Sequence, residues 1–279
     1  MDGFLLAYKE KGVSSNQVVQ KTKRLLSLKK VGHLGTLDPM AEGLLVLAVN
    51  RATRFSSFFL ESDKRYEAEI SFGIKTNTDD AMGEVISESD LIPKESDIKK
   101  ELKKFLGESL QNPPFFSALK HQGKPLYKYA RDGELISKPP RKINIYSIEN
   151  FNYLHSKCSF SVHCSKGTYI RSIARDLGDA LGCGGHLSAL KRVDQGEFNI
   201  AKSNIPTEID LKNMISIESA FQFFQQIKLN EEDTKIFSNG GKLQTESQEN
   251  NFYRSYDFGN KFLGLGSIVN SQLALKRLV

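Results

Sequence analysis

The stretch Val31-Gly32-His33-Leu34-Gly35-Thr36-Leu37-Asp38-Pro39-Met40-Ala41-Glu42, running into Gly43-Leu44-Leu45-Val46-Leu47-Ala48-Val49, decides how the chain is read. A glycine-rich turn leads directly into an uninterrupted apolar segment. Gly43 to Val49 has the length of a buried strand. Its core, Leu44 to Val49, falls far short of the roughly 18 to 20 residues that a membrane span needs. The turn is not a P-loop, because no Gly-Lys-Ser/Thr follows it, and its glycine spacing is not that of a dinucleotide fingerprint. No serine nucleophile elbow occurs. The turn does hold one carboxylate. Proline fixes its own φ and restricts the residue before it, so Asp38 is expected in extended geometry, with His33 upstream across the turn. An Asp-Pro in a loop is most often an ordinary turn, so Asp38 needs partners before it becomes a site.

Outward from this stretch, periodicity assigns the neighbours. Val18, Val19, Thr22, Leu25 and Leu26 recur at helical intervals, and Ser14 with Gln17 forms a capping box at the start. The other face carries Lys21, Lys23 and Arg24, with Lys29 and Lys30 just beyond. It is either a solvated face or a phosphate-binding one. Ala52 to Glu61 reads as a short helix. Tyr66, Ala68, Ile70 and Phe72 alternate with polar residues as in a half-buried strand. Ile98, Leu102, Phe105 and Leu106 mark a helix stopped by Gly107. Ile143 and Ile145 begin a strand, and Cys158, Phe160, Val162 and Cys164 form another. Ile170, Ile173, Ala174, Leu177 and Leu181 predict a helix ending at Gly182. From about residue 229 a short helix, Glu231 to Phe237, Gly240-Gly241 and alternating segments at 252–256 and 262–268 suggest a small β-rich unit. Strands and helices are interspersed without a regular βαβ rhythm, so the expected class is α+β.

Composition narrows the function classes. The chain has 279 residues, 39% of them hydrophobic and 26% charged, which is an ordinary globular balance. Lys and Arg outnumber Asp and Glu by 39 to 33, for a net charge of +6. That excess permits a polyanionic partner without requiring one. Three cysteines give no disulfide framework and read as reduced and intracellular. The N-terminus has no basic n-region or long apolar h-region, so no secretory signal and no membrane association are expected, and the cytoplasm is the default. His155, Cys158, His163 and Cys164 lack the paired spacing of a zinc site, and Cys158 and Cys164 share the apolar face of a strand; no metal is expected. Residues 111–140 differ from their surroundings. Pro113-Pro114, Lys120, His121, Lys124, Tyr127, Lys128, Tyr129 and Arg131 interleave basic and aromatic side chains, a mixture suited to phosphates and stacked bases. No acidic partner for these lysines is evident.

Two arginines, Arg171 and Arg175, stand four apart on the helix after Ser165-Lys166-Gly167-Thr168-Tyr169. One of them could neutralise Asp38, or both could pair with Asp176 or Asp179 at the surface. With these residues in view, the chain resembles the bacterial tRNA pseudouridine synthase B family, the TruB type. Val31 to Leu45 is similar to the family's signature around a catalytic aspartate, and Lys64-Arg65-Tyr66-Glu67-Ala68 to the motif of its active-site tyrosine. Thr76-Asn77-Thr78-Asp79-Asp80-Ala81-Met82-Gly83 resembles the segment that follows. Pro113-Pro114 through Lys120, with Gly123, Leu126-Tyr127 and Ala130-Arg131, resembles the RNA-binding insertion. Cys164 to Gly178 resembles the motif whose arginine pairs with the aspartate. The likeness runs over about residues 3–225. Departures are Lys9-Glu10-Lys11-Gly12, where the family has Lys-Pro-x-Gly, Asn50 in place of a usual glycine, and a C-terminal end without its usual proline.

The resemblance implies an α+β fold with a mixed, largely antiparallel central sheet of the pseudouridine synthase type. It implies a catalytic domain over 1–228 with an insertion at about 111–140, and a reduced PUA-like RNA-binding domain over 229–279. It implies isomerisation of uridine to pseudouridine at position 55 in the T-loop of tRNA, with the target base flipped out and no cofactor. Asp38 would be the nucleophile, or the base in a glycal route. Arg171 would hold it, Tyr66 would stack on the uracil and move a proton at C5, Tyr169 and Leu190 would line the pocket, and His33 would fill the vacated space or hold the RNA. Lys21, Arg24, Lys29, Lys30, Lys120, Lys124, Lys128 and Arg131 would contact RNA. The family is usually monomeric, with tRNA its partner through the T-arm and no obligatory protein partner. An RNA-binding protein without catalysis and a uracil-releasing hydrolase remain the alternatives.

Overall fold

The computed structural model describes residues 1–247 and 252–279. Its centre is a ten-stranded sheet. The strand Glu42–Val49 lies between Gly3–Lys9 on one side and Gly185–Gln195 on the other. The sheet continues outward from Gly185–Gln195 through Lys64–Phe72, Lys157–Cys164, Arg141–Leu154 and Gly107–Gln111. All these neighbours are antiparallel except Gly185–Gln195 with Glu42–Val49, which meet in parallel with Lys191 opposite Glu42 and Arg192 opposite Gly43. The sheet is therefore mixed and largely antiparallel, as expected.

The parallel junction depends on Gly43. Its φ is +103°, and a Cβ there would lie 2.4 Å from the Arg192 carbonyl oxygen. Gly43→Ala should therefore cost roughly 2–4 kcal/mol, from the left-handed backbone and the collision together. Urea unfolding of the variant checks this, and a loss under about 1 kcal/mol would show that the junction relaxes easily.

The apolar face of Ile170–Ala180 packs on the sheet together with Ile98 and Leu102 of the helix Glu95–Lys103, around Ile70, Phe160 and Val162. Gly178 permits this close approach, since a Cβ there would meet the Gly185 backbone nitrogen at 2.2 Å. On another side a phenylalanine cluster of Phe4, Phe55, Phe59, Phe198 and Phe221 packs beneath Leu44, Val46 and Ala48. The helix Ser15–Leu25 buries Val18, Val19 and Thr22 against Leu45, Leu47 and Val49 and carries the expected Ser14–Gln17 capping box. Leu25, assigned to its apolar face, is exposed at the last turn. The helix expected to reach Gly107 ends at Lys103, leaving Leu106 exposed. Ala52–Glu61 folds as a 3₁₀ segment, Asn50–Phe55, continued by the α-helix Ser56–Leu60. Asn50 explains its own departure from glycine: it adopts φ +51°, which asparagine tolerates, and its amide bonds the Met1 carbonyl and the Lys30 N–H.

A second sheet takes Gln225–Lys228, Phe252–Tyr256, Phe262–Val269, Gln272–Leu278 and Lys242–Gln244 in that order. Its first strand precedes residue 229, and it closes over the helix Glu231–Ser238 through Phe237, Ile268 and Leu273. Cys158 and Cys164 are buried in the core of the first sheet, as the alternation indicated. Among the described residues no helix is long and apolar enough to cross a membrane.

Candidate active site

The loop after His33 is held from three directions. Ser15 Oγ donates to the Leu37 carbonyl (3.0 Å) and accepts from the Leu37 N–H (2.8 Å). The Gly12 N–H donates to the Pro39 carbonyl at 2.8 Å. Lys9, 0% exposed, donates from Nζ to the carbonyls of Ala41 (2.5 Å) and Glu10 (3.0 Å). Burial lowers the pKa of that amine to about 8, with Asp38 and Glu42 pulling it the other way. Glu10, in place of the family's proline, is exposed and leaves this clamp intact. The result is a rigid loop from which the Asp38 side chain, 36% exposed, reaches into a cleft.

Arg171 meets it there. Its side chain is 4% exposed, and Nε lies 2.8 Å from Asp38 Oδ2 and 3.7 Å from Oδ2 of the buried Asp80. Nε faces the carboxylate at ion-pair distance without the alignment of a hydrogen bond. The directional bonds come from the other nitrogens: Nη1 donates to the Thr78 carbonyl (2.9 Å) and Nη2 to the Phe116 carbonyl (2.8 Å). Arg171 therefore ties the Asp38 loop, the 76–83 turn and the start of the insertion to one helix. Of the two arginines left open by the sequence, Arg175 goes elsewhere, to Asp79 (3.1 Å) and Asp176 (2.8 Å), while Asp179 pairs with Lys75 (2.7 Å).

The cleft has a volume of about 330 Å³ and brings together Asp38, Tyr66, Tyr169, Arg171 and Leu190, with Lys64, Ser117 and Arg192. That is near the lower end of small-ligand pockets, which run from about 300 to 1,000 Å³. Burial raises the Tyr66 phenol to about 12, against the pull of the neighbouring Arg192, so it is a phenol at neutral pH. Tyr169 is likewise raised by burial. Gln111 fixes the Tyr169 backbone, accepting from its N–H (2.8 Å) and donating to its carbonyl (3.0 Å). His33 lies outside the cleft wall, with Nδ1 buried and unpaired among the described residues, and its pKa is lowered by burial and then by Arg192. A larger cleft of about 820 Å³ opens between the two sheets beside Phe58, Phe223 and Phe252. It balances four acidic against four Lys and Arg side chains and lacks the Asp38–Arg171 pair.

Lys21, Arg24, Lys29, Lys30, Lys120, Lys128 and Arg131 are exposed. Lys124 differs from the expectation that it lacked an acidic partner. Its Nζ bonds Asp132 at 2.6 Å and sits 4.5 Å from the Tyr129 ring centre, so it braces the arm internally. The acid lies eight residues on, beyond a helical turn that the sequence pattern did not resolve.

The profile "TruB family pseudouridylate synthase (N terminal domain)" matches residues 23–170. The chain belongs to the TruB family. Two further profiles of that family, "tRNA pseudouridylate synthase B C-terminal domain" and "Pseudouridine synthase II TruB, C-terminal", match residues 171–226 and 226–279. A protein of Clostridium kluyveri named "tRNA pseudouridine synthase B" is 42% identical over 100% of this chain and 99% of its own length. One of Thiobacillus denitrificans with the same name is 38% identical over 100% and 96%. The TruB fold extends further: the chain superposes on a structure titled "Crystal Structure of a Cbf5-Nop10-Gar1 Complex" with a TM-score of 0.74, at 22% identity over 99% of this chain and 84% of that one.

The sequence did not single out Lys9, Asp80, Gln111 or Arg192 as functional. Lys9 and Asp80 lay inside quoted motifs without a role. Gln111 bonds a residue 58 positions away, and Arg192 lies opposite Tyr66 across the sheet, relations that no local pattern signals.

Proposed function

We propose that this tRNA pseudouridine synthase, an isomerase by its family, acts on uridine 55 in the T-loop of tRNA through Asp38. One observation carries the reading: a carboxylate ion-paired at 2.8 Å to a buried arginine, at the edge of a cleft lined by two tyrosines and a leucine. The reaction breaks N1–C1′ and forms C5–C1′ with no net redox change and no group donor, so no cofactor is required. A base within a loop stack has to be extruded to reach Asp38. Asp38 attacks C1′ or promotes the glycal route. Arg171 aims the carboxylate, Tyr66 offers a ring for stacking and a hydroxyl for proton movement at C5, and Tyr169 and Leu190 bound the uracil. His33 remains proposed as a contact to RNA.

The RNA partner is the T-arm, met by a monomer that needs no second protein and works in the cytoplasm. Residues 1–228 are read as the catalytic domain and 229–279 as the PUA-like unit, and the pairing of Gln225–Lys228 with Phe252–Tyr256 links the two. Incubation with unmodified tRNA transcript and site-resolved pseudouridine mapping tests the whole reading. Product at position 55 is expected; product elsewhere overturns the site, and free uracil would make the protein a hydrolase.

The arm makes a separate prediction. Lys120 and Lys128 are exposed and ion-pair with no acid among the described residues. Neutralising both should flatten the dependence of log affinity on log salt by about one to two units and weaken binding to all tRNAs alike. Single-turnover chemistry at saturating tRNA should change little. An unchanged salt slope in filter-binding assays would remove the arm from the RNA surface.

A further inference from the structure

Arg192 is among the largest fully buried side chains in the molecule, at 1% exposed, yet it borders the cleft. It lies directly across the sheet from Tyr66, in register. Nε donates to the Leu44 carbonyl (2.8 Å) and Nη2 to the Gly35 carbonyl (3.1 Å). Strand register sets its side chain beside that of Tyr66, and the two line the same cleft. The backbone is fitted to this side chain at two glycines. A Cβ on Gly35, where φ is +138°, would stand 3.3 Å from Nη1, and Gly43 admits the Arg192 backbone itself.

A buried cation is costly without a counter-ion, and none of the described residues supplies Arg192 with a carboxylate. The acidic group beside it is Tyr66. Lys9 and Lys64 also feel the repulsion of Arg192, with Asp38 and Glu42 offsetting it at Lys9. Asp38 acts on Tyr66 from the cleft side. Lys64 is occupied by the Leu60 carbonyl at 2.8 Å, as a cap on the preceding helix. Arg192 is therefore a buried cation with a phenol, and no carboxylate among the described residues, set beside it across the sheet.

A guanidinium has donors and no acceptor. In any bond between the two, the phenol oxygen is therefore the acceptor, which leaves the phenol hydrogen for the cleft. We propose that Arg192 is a positioning residue for Tyr66, fixing its oxygen and balancing the negative charge that gathers there while the uracil exchanges its C5 proton for one at N1. This rests on the role given to Tyr66 above. Once C5 is bonded to C1′, it carries both sugar and hydrogen. The C5–H bond then breaks and its electron pair becomes the C5=C6 bond. The C6=N1 pair closes onto N1, which takes up a proton. The phenol gives its hydrogen to N1 first, and the oxygen, negative at that point and faced by Arg192, then takes the C5 proton, so Tyr66 ends unchanged and no external acid or base is consumed.

The test uses full-length protein and tRNA transcripts carrying either uridine or 5-deuterated uridine, in single turnover at saturating tRNA. Arg192→Lys should slow pseudouridine formation by about ten- to a hundredfold, leave the tRNA dissociation constant unchanged, and raise the deuterium isotope effect above that of the wild type. Arg192→Gln should do both more strongly. Added to Tyr66→Phe, Arg192→Lys should cause little further loss, because the two act through one oxygen. The isotope effect is a ratio within one variant, so partial destabilisation does not mimic it. An isotope effect equal to wild type, or full additivity with Tyr66→Phe, overturns the proposal. A Tyr66→Phe variant with wild-type turnover overturns the reading of Tyr66 instead. Should neither Arg192 variant fold, 3-fluorotyrosine at position 66 of the intact chain decides: charge on the oxygen requires a rate that responds to phenol acidity, and an indifferent rate overturns it.

Discussion

Asp38→Asn should leave a folded protein that binds tRNA and makes no pseudouridine. The substitution is nearly isosteric, and the loop that carries it is held by others: Ser15 on Leu37, Gly12 on Pro39 and Lys9 on Ala41. Arg171 keeps its bonds to the carbonyls of Thr78 and Phe116 and its approach to Asp80, so the loss of one charge does not orphan the guanidinium. What disappears is the anionic oxygen proposed to attack C1′ or draw off a sugar proton. An amide does neither, and removal of such a group costs at least about a thousandfold in rate. Single-turnover assays at saturating tRNA, with circular dichroism and a tRNA dissociation constant alongside, separate chemistry from folding and binding. A variant that keeps more than about a tenth of the wild-type rate removes Asp38 from the mechanism.

The central sheet was legible in the sequence because its strands announce themselves by alternation or by an apolar run. Tyr66 to Phe72 and Cys158 to Cys164 became adjacent strands with Ala68 opposite Phe160. Helix ends were less legible. Phe105 and Leu106 continue the apolar spacing, but the chain leaves the helix at Lys103 and turns through Gly107 at φ +87° into an edge strand. Asp38 could be singled out by Pro39 and the glycine turn. Its partner could not be chosen locally, since Arg171 and Arg175 sit on the same helix and differ in which loop each faces. Arg192 was invisible for a related reason. A basic residue in a strand reads as solvent-facing, and its burial follows from the parallel contact at Gly43 and the turn at Gly35, which only the folded sheet brings beside it.

Arg171→Lys should be a poor enzyme despite retaining the charge. The guanidinium serves three directions at once: Nε faces Asp38, Nη1 the Thr78 carbonyl, and Nη2 the Phe116 carbonyl. A single ammonium on a flexible stem cannot occupy all three positions. If it stays with Asp38, two carbonyls in the wall lose their donors, at about 1–3 kcal/mol each if they remain buried. If it moves to the carbonyls, Asp38 loses its partner and its aim. Both routes lower the rate at saturating tRNA, by an expected hundredfold or so, since misplacement of about 1 Å at a reacting group costs that much. The two are separable. Urea unfolding reports the wall, and single-turnover rates report the carboxylate. A variant destabilised by a few kcal/mol yet as fast as wild type when saturated would assign Arg171 to the wall alone, and the 2.8 Å contact with Asp38 would then play no part in catalysis.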